Sequence, residues 1–227
     1  MRRAEFKCDD FEMIKSHLNE IAFGTMIIGD SPLPYGIALN FCFLPNITQK
    51  DATQKGATQK GAIGIHGATQ KGATQKGAIG IHGAKAGRKF ALLKHNPQVS
   101  FSAVKPYSYI GSEFLGGAMI PTQFFFSVII SGKFCVAEDN ALKREILSAL
   151  VAKYEPQSQN FSFNKKAFMG KEKGVFVGFV EVESLSVKAK FGQNLRRSDF
   201  ESIMSDLEVR ATEIDKQTLA MMKYFRA

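Results

Sequence analysis

Tryptophan is absent from the 227 residues, and cysteine occurs only three times. Cys8, Cys42 and Cys135 stand far apart and none belongs to a CxxC pair. An odd, scattered set rules out a disulfide framework and suits a reducing compartment. Cys42 and Cys135 lie in apolar runs, where a thiol is expected to be buried and inert. The four histidines (His17, His66, His82, His95) and the cysteines have no zinc-ligand spacing. No catalytic triad or carboxylate pair has persuasive spacing either. A long uninterrupted apolar run is also missing: the greasiest stretch, 116–137, carries Thr122, Gln123 and Lys133, and reads as strand rather than membrane span. No apolar stretch follows the basic start MRRAEFKCDDFEMIK, so it does not read as a signal peptide and the cytoplasm is the expected home.

The net charge of +9 invites a nucleic-acid or membrane-surface partner. Much of it is local, however. One repetitive insert, 48–78, holds Lys50, Lys55, Lys60, Lys71 and Lys76 against the single acid Asp51, a surplus of four. Residues 52–67 (ATQKGATQKGAIGIHG) recur letter for letter as 68–83. Solenoid repeats drift, need about three units and show an apolar pattern; two identical Gly-, Ala-, Thr-, Gln- and Lys-rich copies read instead as a solvated hairpin loop. One nucleic-acid motif is partly present. Lys173–Val180 (KGVFVGFV) resembles an RNP1 strand, but Val175 stands where an aromatic belongs and no companion motif or β-α-β-β-α-β order accompanies it. A buried strand explains it, and neither a nucleic-acid nor a membrane partner is expected.

What is abundant is core. Apolar residues make up 44% of the chain, with 20 phenylalanines, enough for one sizeable domain. A helix capped by Asp9 or Asp10 is expected to about Ile21, with Phe11, Ile14, Leu18 and Ile21 on one face. Strands follow at Phe23–Ile28 and Tyr35–Leu44, the second apolar enough to be buried on both sides. After the insert a strand ends at His82, a helix covers Lys85–His95, and Val99–Val104 is a strand. A loop over Lys105–Thr122 leads to a long strand, Phe124–Ala137, bent or bulged at Gly132. Then come an amphipathic helix, Glu138–Tyr154, a strand, Gly174–Lys188, and one C-terminal helix, Asp199–Phe225. With no persistent βαβ alternation, the order predicts an antiparallel barrel decorated with helices, an α+β fold.

The sharpest chemical signal is Ile81–Lys89 (IHGAKAGRK). A strand ends, Gly83 and Ala84 permit a tight turn, and a helix opens near Lys85. Free N–H groups and the positive helix end favour an anion there. Lys85, Arg88 and Lys89 add three cations, and Gly87 lets a ligand approach the backbone. A phosphate site and a merely solvated basic helix start are both compatible with these residues.

Several segments together resemble the FMN-binding split barrels related to pyridoxamine-phosphate oxidase, particularly their nitroimidazole-reductase-like branch. They are the Met-Arg-Arg opening, PYGIALNF (Pro34–Phe41), His82-x-Ala84 followed by Gly87-Arg88-Lys89, HNPQVSF, FFSVIISGK (Phe125–Lys133) and ALKREILSALVAKY. The resemblance covers 1–190 apart from the insert and leaves 191–227 as a helical extension. It departs from the family at Ile79-Gly80-Ile81, where an aromatic usually precedes the histidine. His66-Gly67-Ala68 is a decoy, because only His82 leads into the basic turn.

The resemblance implies an antiparallel split β-barrel, FMN as cofactor, a homodimer with the flavin at the subunit interface, and oxidoreductase activity on a small organic substrate, with NAD(P)H as a candidate donor. It implies that Arg88 and Lys89, beside Lys85, hold the flavin phosphate. Ser127, next to Val128, would be a further phosphate or ribityl ligand. The edge Leu39, Asn40, Phe41 and Cys42 would lie along the isoalloxazine, and His82 would stand on the substrate side as the catalytic candidate or merely order the turn. A haem-binding, haem-degrading barrel, with a histidine on iron and the cations on propionates, is the second reading. A non-enzymatic flavin- or nucleic-acid-binding module is the third. The C-terminal apolar residues Ile203, Leu207, Ile214, Leu219 and Met222 could cover a dimer interface.

Overall fold

The computed structural model describes residues 3–45, 47, 77–157, 161–166 and 170–226. Nearly all of the insert, 48–76, therefore lies outside the described residues, as does His66. After a 3-10 turn at Ala4–Phe6 come α1 (Phe11–Glu20), β1 (Gly24–Ile28), β2 (Tyr35–Leu39), β3 (Cys42–Leu44) and β4 (Ala78–Gly83). They are followed by α2 (Arg88–His95), β5 (Gln98–Ile110), the single turn α3 (Phe114–Gly117), β6 (Thr122–Val136), α4 (Asn140–Tyr154), β7 (Phe176–Lys190), α5 (Arg197–Arg210) and α6 (Glu213–Tyr224). The seven strands form one antiparallel sheet in the order β2-β1-β5-β6-β7-β4-β3. The architecture is α+β.

Two compact units share β5, β6 and β7. One comprises 1–17, 102–129 and 186–227, and the other 18–101 and 130–185. In the first, Phe124, Phe126, Val128, Val187, Ala189 and Phe191 alternate inward along their strands. The buried His17 stacks on Phe126, with ring centres 3.7 Å apart. Its Nε2 lies 2.8 Å from the Tyr107 hydroxyl and its Nδ1 2.8 Å from the Met13 carbonyl, so both ring nitrogens are partnered. In the second unit, Phe41 packs edge-on against Phe101, and Cys42, Leu44, Ala78, Leu142, Ile146, Leu150, Val177 and Phe179 form one cluster beneath α4.

Several expectations needed correction. Tyr35–Leu44 is two strands, broken at Asn40-Phe41, and β2 alternates in exposure instead of being buried on both sides. β2 is an edge strand of the sheet. β5 runs on to Ile110, so residues 105–110 are strand and not loop; Tyr107, Ser108 and Ile110 are buried there. The helix after β4 starts at Arg88, three residues late, because Gly87 has φ 95°, which no helix accepts. The C-terminal helix is two, separated by Ala211 at φ 51° and the Thr212 capping box. Gly132 marks a close approach: a Cβ there would stand 2.0 Å from the Glu181 carbonyl oxygen.

Candidate functional site

β4 delivers the basic turn. Its residues pair with β7, Ile81 opposite Gly178 and His82 opposite Val177. Ala78, Ile79 and Ile81 are fully buried, while His82 reaches solvent. The copy of AIGIHG joined to KAGRK, at 78–83, is the one that forms β4. Residues 85–87 then bend, and α2 opens without a side-chain cap and without an acid in its first turn. Its first N–H groups have no intrahelical carbonyl to bind. Around Gly87 nothing lies within 4 Å of where a Cβ would point.

The three cations of this turn reach in different directions. Arg88 turns to the β1–β2 connection, where its Nη2 donates to Asp30 at 2.7 Å and its guanidinium carbon lies 4.8 Å from the Tyr35 ring centre. The Arg88 hydrogen bond holds the Asp30 carboxyl below its ordinary pKa. Lys85 donates to the Lys173 carbonyl oxygen. That turn is fixed by Glu172, whose buried carboxylate accepts from Arg144 at 2.8 Å. Lys89 folds back over the strand end, its Nζ 2.6 Å from the position a Cβ on Gly83 would take. Gly83 is thus a cradle for the Lys89 amine, whose pKa burial lowers. His82 is held below its ordinary pKa, first by the protein crowding the inner side of its ring and second by the Lys89 charge. Both effects favour the neutral imidazole.

A cleft of about 240 Å³ opens beside the turn, lined by Lys85, Phe90, Lys143 and Phe176 among others. A free helix start, an open glycine and the cations Lys85, Arg88 and Lys89 form a donor set whose chemistry fits a phosphate dianion.

The Leu39–Cys42 edge is mostly inward-facing. Leu39, Phe41 and Cys42 are buried, and only Asn40 shows its side chain, its amide donating to the Ala22 carbonyl at 3.3 Å. Desolvation pushes the Cys42 thiol up to about 12, and it contacts the Gly80 and Ile146 carbonyls at 3.8 Å. This thiol is inert at neutral pH. Sequence reasoning missed what braces the edge. The Tyr154 hydroxyl accepts from Phe41 N–H at 3.0 Å and donates to the Ala22 carbonyl at 2.6 Å. Lys153 caps the Phe41 ring at 3.5 Å and donates to the Leu18 carbonyl at 2.8 Å. Burial lowers its pKa to about 8. Both residues lie over a hundred positions from Phe41, so no local pattern could have named them. Asp30 did carry a signal, as the acid of the turn GDSPLP.

Ser127 and Val128 belong to the other unit. Val128 is buried in its core. The Ser127 hydroxyl, barely exposed, donates to the Lys188 carbonyl at 3.5 Å. Among the described residues no group of three or more His, Cys, Asp or Glu is placed to hold a metal. No described helix is long and apolar enough to cross a membrane.

Residues 1–184 match the family described as "Putative FMN-binding domain". The chain belongs to that family. Flavin binding is thereby its general property, and the open, cationic start of α2 accords with it. Solved structures share the fold. A "putative 5-nitroimidazole antibiotic resistance protein" from Bacteroides thetaiotaomicron is 17% identical with a TM-score of 0.53, over 80% of this chain and 85% of that one. A flavocytochrome from Azotobacter vinelandii is 16% identical with a TM-score of 0.56, over 86% and 75%. A protein from Mycobacterium smegmatis described as binding FAD and haem is 12% identical with a TM-score of 0.58, over 87% and 79%. The comparison with curated proteins finds no match. The fold is the flavin-binding split β-barrel that the sequence motifs imply.

Proposed function

We propose that the chain is an FMN-dependent oxidoreductase acting on a small organic substrate as a homodimer. The observation that carries this reading is the uncapped start of α2, with Arg88 and Lys89 at its first two positions, one short turn after β4. When bound, FMN supplies the redox chemistry, accepting electrons from a donor such as NAD(P)H and passing them on. The chain's own residues hold and shield it. Arg88 and Lys89, with the first-turn N–H groups, bind the phosphate. Asp30 holds the Arg88 guanidinium in place until the phosphate competes for it. Asn40 offers an amide at an edge that Tyr154 and Lys153 keep rigid. His82, at the end of β4, can take or give a proton at a ring nitrogen. Val104 and Ile129, on the neighbouring strands β5 and β6, are 49% and 52% exposed, an apolar face that a second copy would cover.

The test is the absorption spectrum of the fresh protein and the mass of whatever heat releases. A yellow protein releasing FMN is expected, and Arg88→Ala with Lys89→Ala should lose most of the flavin while keeping the fold. A Soret band would instead install the haem reading that the basic turn also accommodates. A colourless protein that FMN does not reconstitute would sink the proposal. Sedimentation of the loaded protein tests the dimer, and a strictly monomeric flavin-bound species would refute it.

A further inference from the structure

We propose that Arg3, Lys188 and Lys190 form a second anion site, which takes the phosphate group of an organic phosphate. The cluster lies wholly in the first unit and shares no residue with the Lys85–Lys89 turn. β7 sets two of its members: residues two apart on a strand share a face, and Val187, Ala189 and Phe191 are the buried set, so Lys188 and Lys190 stand together on the opposite face. The N-terminal segment brings the third. Lys7 bridges to Lys188, and Cys8 N–H donates to the Val187 carbonyl at 3.3 Å, which lays residues 3–8 beside β7.

Arg3 and Lys188 then share one aromatic ring. The Arg3 guanidinium carbon is 5.8 Å from the Phe6 ring centre, and the Lys188 amine is 5.5 Å from it and 5.4 Å from the Phe125 ring centre. Aromatic faces hold cations but do not neutralise them. Lys190 reaches the Thr122 hydroxyl, and the Ser127 hydroxyl sits on the Lys188 carbonyl. Among the described residues no carboxylate pairs with any of the three cations; the nearby Lys7 has its own partner, Asp9, at 2.8 Å. Lys190 registers the crowding, since burial first, then the charges of Lys188 and Arg3, lower its pKa.

Three positive side chains gathered without an acid are a local conflict that a folded chain tolerates where function requires it. A dianion resolves it better than a single carboxylate would, and the Thr122 and Ser127 hydroxyls are partners for phosphate oxygens. The phosphate comes from a second phosphorylated ligand such as a nicotinamide dinucleotide, or from the flavin itself only if Arg88 and Lys89 do not hold it.

The experiment is calorimetric titration with inorganic phosphate at low, constant ionic strength, on the full chain as purified and after flavin is stripped. Wild type is compared with Lys188→Met/Lys190→Met and with Lys188→Arg/Lys190→Arg. Phosphate binding should weaken at least tenfold in the Met pair and persist in the Arg pair. Binding to the protein in both states, with flavin content unchanged in the Met pair, identifies a second phosphorylated ligand. Binding only to the stripped protein, with flavin lost from the Met pair, identifies the flavin's own phosphate. Equal affinity in wild type and the Met pair, or binding no better than chloride in either state, overturns the site. Should the Met pair not fold, Arg3→Ala on the exposed N-terminal segment carries the test: a severalfold loss supports the site and an unchanged affinity overturns it. Because stripped protein is titrated too, a chain that never holds flavin still supports or overturns the site.

Discussion

At the scale of single residues, two titrations can be read from the surroundings of the groups. His82 is depressed by crowding and by the Lys89 charge, so removing that charge should relieve part of the shift. Lys89→Met is expected to raise the His82 midpoint toward the unperturbed value of about 6.5, as followed by histidine NMR titration. A midpoint that does not move would leave crowding as the sole cause. Lys153 also bears on stability. Its folded pKa of about 8 lies below the unfolded lysine value, so the unfolded chain holds more protons between the two. Stability from this group should therefore rise with pH, from about 8 to about 10, and Lys153→Met should lack that rise in denaturant melts across the window. The residues expected from sequence at this scale were the cations and His82. Asp30 and Tyr35, which Arg88 meets, and Lys153 and Tyr154, which brace Phe41, are long-range neighbours, which spacing cannot show.

At the scale of elements, the ends of helices decide more than their middles. Gly87 stops α2 from beginning at Lys85, and so leaves Lys85 outside the helix to reach the Lys173 carbonyl. Ala211 holds a left-handed conformation between α5 and α6, with its N–H on the Leu207 carbonyl at 2.9 Å. A Cβ is unfavourable there, so Ala211→Gly should stabilise the protein by about 1 kcal/mol, read as a raised melting temperature. The apolar pattern of 199–225 picked out Ile203, Leu207 and Met222 as cover for a dimer interface, but all three are already buried within the chain itself. It did not foresee that the inner face of α6 also carries Asp215 and Thr218, because polar side chains read as solvent-facing until their partners are known.

Those partners act at the scale of the first unit and its stability. Asp215 is fully buried and accepts from Arg210 at 2.6 and 2.9 Å, from the Ser108 hydroxyl at 2.5 Å and from the Thr212 hydroxyl at 2.6 Å. Ser108 belongs to β5, so this one carboxylate ties both C-terminal helices to the sheet. The Arg210 hydrogen bonds hold its pKa far below the ordinary carboxylate value. A depressed acid stabilises the fold above its unfolded pKa, and that contribution is lost as pH falls below about 4. Asp215→Asn should lower stability at pH 7 by about 2–4 kcal/mol, since it leaves Arg210 without its anion. The deficit should shrink as both proteins are taken to low pH. A constant deficit from pH 7 to pH 3 would show that the charge is not what holds the helices.

In the sequence by itself, the motifs resembled the family to which the chain belongs; the antiparallel α+β sheet and the basic turn after β4 were legible because strand alternation, glycine punctuation and charge clusters are local and period-bound. It favoured His82 over His66, since only one copy of the repeat runs on into cations, and His66 lies outside the described residues. Tertiary structure decided where each of those cations points, that the Leu39–Cys42 edge turns three of its four side chains inward, and that Arg3 meets Lys188 and Lys190. These are matters of packing between segments far apart in the chain. Their geometry comes from how strands pair and which faces must be buried, and no window of sequence contains both partners.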